Sequence, residues 1–101
     1  MVAILVGFTA PALAEFHSGN DIYRDSVSSE SFAKVYCIAY IVGSFNQLKD
    51  SEEYKCVPKK NVSEGQIRDV VIAYLRNKPE ARHFGAASLI HNAIYLAFCK
   101  K

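Results

Sequence analysis

The sequence predicts an all-α fold: a small four-helix bundle stabilised by a disulfide. Three observations lead there. Apolar residues recur at three- and four-residue spacing in successive segments, and serines stand where helix N-caps belong. Three cysteines sit in a chain whose opening has the form of an export signal. The connections between the apolar segments are short, as between neighbours in a bundle.

Met1 to Ala14 contains no charged residue. Crossing the hydrocarbon of a bilayer takes roughly 20 apolar residues; this stretch, interrupted by Thr9 and Pro11, is too short. Ala12-Leu13-Ala14 fits the small-x-small pattern that a signal peptidase cuts, and Pro11 ends any helix before it. The expectation is a signal peptide over 1–14 and one helical domain over 15–101, exported and without a membrane span of its own. The n-region has only its terminal amine as a charge. A buried N-terminal strand or helix is the alternative reading of the same residues.

Twelve basic against ten acidic residues give a net charge of +2. The Lys and Arg residues are scattered rather than striped, so nucleic acid is not an expected partner. A domain of this size buries roughly 60–65% of the surface of its unfolded chain, which leaves a modest core.

In an exported chain a disulfide is the default use of cysteine. Cys37, Cys56 and Cys99 are separated by 18 and 42 residues, with no Cys-x-x-Cys and no adjacent His pair, so no zinc site is expected. Cys37 lies in the apolar run "KVYCIAYIVG", where a cysteine acts as a small hydrophobe and burial makes it inert. Cys56 follows the charged segment "KDSEEYK", and Cys99 stands beside the terminal lysines. Both look like element ends, which predicts a Cys56–Cys99 bridge. Its loop of about 44 residues is worth roughly 4 kcal/mol in the chain-entropy model.

The elements follow in order. Ser18 caps a short first helix, with Asp21 three residues on completing a capping box and Ile22 attaching it to the core. A second helix runs from about Ser29 to Leu48, with Phe32, Val35, Ala39, Val42 and Phe45 on one face. Tyr36, Ile38, Tyr40 and Ile41 make its middle apolar nearly all round, which predicts a central helix surrounded by the others. A strand over "VYCIAYIV" is the rival reading, and the length of the pattern favours helix. Pro58 holds Val57 extended. Ser63-Glu64-Gly65-Gln66 reads as a capping box, and Val62 can staple against Ile67. Ile67, Val70, Val71, Tyr74 and Leu75 then form a stripe that Asn77-Lys78-Pro79 stops. "PEARHFGA" makes a turn, and a last helix over about 86–98 buries Leu89, Ile90, Ala93, Ile94, Ala97 and Phe98.

No catalytic set is visible. His17, His83 and His91 fall in different elements, and the apolar setting of Cys37 argues against a Cys–His pair. No phosphate-binding glycine loop occurs, and no cofactor is expected. Asn61-Val62-Ser63 matches a glycosylation sequon, a match common by chance, and Ser63 already has a capping role.

Taken together, "FHSGNDIY", "YCIAYIVGSF", "CVPKKNVSEGQIRDVVIAYLRNKPEARHFGAASLI" and the closing "AFC" resemble the Tai/Rap family of type VI secretion immunity proteins. The resemblance covers the chain after its first 14 residues. It implies a small helical protein of the Gram-negative periplasm that binds and blocks a peptidoglycan amidase toxin, and it implies a homodimer. Family members often carry a further cysteine about where Ser26 stands, pairing with the counterpart of Cys37, and a proline before the last cysteine, where this chain has Phe98. Without the first of these, Cys37 is left unpaired.

The leading expectation is therefore a binding module. A small helical periplasmic chaperone or another envelope protein is the alternative. Within the segment Lys49–Lys55, Asp50, Glu52, Glu53 and Tyr54 are the expected partner-binding residues. The acids would suit a cationic or hydrogen-bond-donating cleft, and the tyrosine would supply contact area.

Overall fold

The computed structural model describes residues 17–48, 51–52, 55–57 and 60–99. The expected signal over 1–14, and Asp50, Glu53 and Tyr54, lie outside the described residues.

Four α-helices occur among those residues: α1 Gly19–Ser26, α2 Ser31–Leu48, α3 Glu64–Asn77 and α4 Ala86–Phe98. A 3-10 turn, Pro79–Ala81, separates α3 from α4. Each start has a local cause. Ser18 Oγ accepts from Asp21 N at 3.1 Å while the Asp21 carboxylate accepts from Ser18 N at 3.0 Å, so two otherwise orphaned donors are satisfied reciprocally. At α3 the first half of the expected box forms, with Ser63 Oγ accepting from Gln66 N at 3.0 Å. Val62 packs against the core beside it. Pro79 cannot continue α3 and opens the 3-10 turn instead.

Each helix packs against the other three. Their shared core is built from Ile22, then Cys37, Ile41, Phe45 and Leu48, then Ile67, Val71, Ile72 and Leu75, then Leu89, Ile90, Ala93 and Ile94. Val57 joins this core from the connection between α2 and α3.

The N-terminus of α1 is latched to the corner before α4. Gly19 N donates to Phe84 O at 3.0 Å, Asn20 N to Arg82 O at 2.7 Å, and Ala86 N to His17 O at 2.7 Å. Ser18 and Gly85 form an isolated antiparallel bridge there. A β-carbon on Gly19 would collide with the Leu89 side chain and come within 3.0 Å of the Arg82 carbonyl oxygen. Only glycine allows this approach.

The structure corrects one expectation about α2. Of the stripe Phe32, Val35, Ala39, Val42 and Phe45, only Phe45 enters the core; Phe32 is 80% exposed and Val35 63%. The buried side is the opposite one, Cys37, Ile41 and Leu48 with Phe45 at its edge. An α-helix that is apolar all round presents two stripes of similar quality, and periodicity cannot say which one meets the core. A smaller correction concerns α4, where Ala97 is exposed although it shares the expected spacing.

Candidate functional site

The first candidate surface is the charged connection after α2. It leaves the helix by a tight turn, Ser51 N donating to Leu48 O at 2.8 Å. Leu48 is buried at one end and Val57 at the other. Cys56 is joined to Cys99 by a disulfide with a Cα–Cα separation of 5.2 Å, which ties the connection to the end of α4. Cys37 is free and buried. Of the four residues expected to bind a partner, Glu52 is described; it is exposed and pairs with Lys55 Nζ at 3.0 Å. An ion pair so open to water adds little stability, so both charges are available to a partner. Tyr95 lies one turn before the bridge, accepts from Cys99 N at 2.8 Å through its carbonyl, and is itself exposed, as is Leu96. The sequence reading missed this tyrosine because its immediate neighbours in sequence, Ile94, Leu96 and Ala97, are apolar and no charge stands on α4.

The second surface is the outer face of α2. Phe32, Val35, Tyr36 and Ala39 are exposed along it. Beyond them lies a groove of about 510 Å³, lined by Val35, Ala39, Val42, Gly43, Asn46 and Glu64. Above Gly43 there is open space. His17 borders this face: its Nε2 is 2.5 Å from Tyr36 Oη, and its ring meets those of Tyr36 and Tyr40 edge-on at 5.5 and 5.3 Å.

The third is the corner before α4. The Arg82 guanidinium lies 4.4 Å above the centre of the Tyr23 ring. Its buried Nε has no hydrogen-bond partner, and the ring face compensates part of that charge. His83 and Phe84 stack at 4.2 Å, both exposed.

Cys37 faces inward. Its thiol donates to Ile22 O at 3.6 Å. Burial pushes it up to about 11, with the negative charge of Asp25 adding and Arg68 opposing. Such a thiol is neutral at physiological pH and a poor nucleophile. It borders a cleft of about 280 Å³ shared with Ser26, Lys34, Arg68 and Asp69. Among the described residues, no group of three or more His, Cys, Asp or Glu side chains could hold a metal. No helix there is long and apolar enough to cross a membrane. The arrangement offers contact surfaces on a rigid frame.

The frame from the Ser18 cap to the Cys99 bridge is also what matches a known family: residues 18–99 fit the Rap1a immunity proteins. The chain belongs to that family. No curated protein and no solved structure matches it in the corresponding comparisons. The match makes this Rap1a-family chain an immunity-type protein. Its limits coincide with two features described above, the reciprocal cap that starts α1 and the disulfide that ends α4.

Proposed function

We propose that the protein is a periplasmic immunity protein that binds and inhibits a peptidoglycan amidase toxin delivered by type VI secretion. The family match over residues 18–99 carries this reading. The Cys56–Cys99 disulfide supports export, because such bridges persist in oxidising compartments. Residues 1–14 act as the signal, cleavage leaves Glu15 as the new N-terminus, and the domain over 15–101 works as a homodimer.

The toxin-binding segment is the connection bearing Asp50, Glu52, Glu53 and Tyr54. Its anchoring by Leu48, Val57 and the disulfide lowers the entropic cost of presenting it to a cleft. The test is binding to a type VI peptidoglycan amidase from the same organism. Replacing Glu52, Glu53 and Tyr54 together by alanine weakens binding more than tenfold, about 1.4 kcal/mol, without changing the melting temperature. A triple variant that inhibits at wild-type affinity places the interface elsewhere, with the Arg82-His83 corner next to test. Intact mass of the periplasmic protein checks the cleavage, and a product retaining Met1 contradicts it.

A further inference from the structure

We infer that the outer face of α2 is the contact between two copies of this chain, paired antiparallel about a two-fold axis at Ala39. This rests on the homodimer reading above and adds to it the surface, the direction and the axis.

The first argument is the distribution of side chains around the helix. At about 100° per residue, Phe32, Val35, Tyr36, Val42, Gly43 and Asn46 all fall within about 60° of Ala39. None is charged, and α2 as a whole contains a single charged residue, Lys34, which points instead to the Cys37 cleft. Two copies of one chain carry the same net charge, so a self-pairing patch must avoid setting like charges against each other. The α2 stripe meets that condition over its full length, and Glu64 of α3 is the one charged residue lining the adjoining groove. Obligate homodimer interfaces have this composition, a core cut in half, whereas surfaces for transient partners are more polar.

The second argument is self-complementarity. A two-fold contact requires each projection on the patch to have a hollow at the same distance on the other side of the axis. Phe32 stands seven residues before Ala39, and Asn46 seven residues after it. Val35 stands four before, and Gly43 four after. The side before Ala39 projects, with Phe32 and Val35 the most exposed large apolar residues among those described. The groove begins at Val35, runs past Ala39 to Gly43 and Asn46 with Glu64 of α3 on its wall, and has open space above Gly43. Antiparallel pairing at Ala39 therefore lays Phe32 of each copy into the groove of the other, at a displacement of about 10 Å along the axis for seven residues. A heterologous partner would need no such match between the two ends.

The small residues at the centre set the spacing. With helix axes about 8–10 Å apart and Cα atoms about 2.3 Å from each axis, the two Ala39 Cα atoms come about 3.4–5.4 Å apart, which enters disulfide range at axis spacings above about 9 Å.

The test is Ala39→Cys in the full chain, oxidised and run without reductant, beside sedimentation velocity of the wild type and of Phe32→Glu. Wild-type protein, with Cys37 buried, and Asn92→Cys on the exposed side of α4 are the controls. The expected result is a wild-type dimer, near-complete self-bridging of Ala39→Cys, none of Asn92→Cys, and at least a hundredfold weaker dimerisation of folded Phe32→Glu. A dimer that Phe32→Glu leaves intact and Ala39→Cys does not bridge puts the interface elsewhere; it overturns this inference and leaves the homodimer reading standing. A wild type that is monomeric at every concentration overturns both. A monomer whose Phe32→Glu variant has lost amidase binding overturns the inference and gives the face to the toxin.

Discussion

Gly19 lies against Leu89 with no space for a β-carbon between them. Gly19→Ala must therefore displace a buried leucine or the Arg82 carbonyl, and overpacking of this kind costs about 1–3 kcal/mol. Gly43→Ala meets nothing within its own chain and, in the Phe32→Glu background where pairing is lost, is expected to stabilise it by about 0.5–1 kcal/mol. Urea midpoints of the two variants check the pair. Equal shifts would contradict the packing described for Gly19.

The two serine caps differ in what they satisfy. Ser63→Ala removes one bond to Gln66 N and costs about 1 kcal/mol. Ser18→Ala also disturbs the carboxylate that reaches back to it, and is expected to cost more. The comparison is made by denaturation of both variants, and a Ser63→Ala midpoint equal to wild type would mean that α3 does not begin there.

Asp21 gives the first cap a pH dependence. The Ser18 backbone N–H holds its carboxyl below the ordinary value, with the positive charge of Arg24 also lowering it and partial burial opposing. A depressed carboxyl contributes stability above its unfolded pKa, here 3.8, and loses it as pH falls through the lower folded value. Asp21→Asn is therefore less stable than wild type at pH 7, and the difference narrows below about pH 4. A difference that stays constant down to pH 2 would contradict this.

The three cysteines are expected to separate by reactivity. Reducing Cys56–Cys99 lowers stability by roughly 4 kcal/mol in the chain-entropy model. Cys37 resists a thiol reagent at pH 8 until denaturant is added, because it is buried and its thiol is held neutral. Non-reducing peptide mapping and timed alkylation check both statements. Rapid labelling of Cys37 in the native protein would contradict its placement.

Ser26 and Cys37 border the same cleft between α1, α2 and α3. Ser26→Cys is expected to form a second bridge there under oxidising conditions and to raise the melting temperature. A variant that stays a dithiol after oxidation would show that the two positions are too far apart.

Much of this was legible because local chemistry and packing agree. Ser18 with Asp21, and Ser63 with Gln66, announce two helix starts within four residues each, and Pro79 announces a stop. The disulfide followed from position, since Cys56 and Cys99 stand at element ends while Cys37 sits inside an apolar run. The orientation of α2 was not legible. Its outward stripe of Phe32, Val35 and Ala39 is as apolar as the inward one of Cys37, Ile41 and Leu48, and sequence periodicity is blind to which side has neighbours. The candidate site was legible only as a segment: Glu52 is exposed as expected, whereas Tyr95 became visible once the disulfide brought the end of α4 beside that segment.

The hydrogen bond from Ala86 to His17 and the bridge from Cys99 to Cys56 fasten both ends of the last helix to earlier parts of the chain. Leu89, Ile90, Ala93 and Ile94 of that helix meet all three preceding helices. A nascent chain lacking these residues keeps the contacts among α1, α2 and α3 but loses one whole side of their shared core, and it has neither fastening. Under the export proposed above, a precursor threaded N-terminus first through a narrow channel would complete its fold only once its final residues had crossed. Late completion of the core would keep such a precursor threadable, and truncations ending before Cys99 are expected to cross but not to fold.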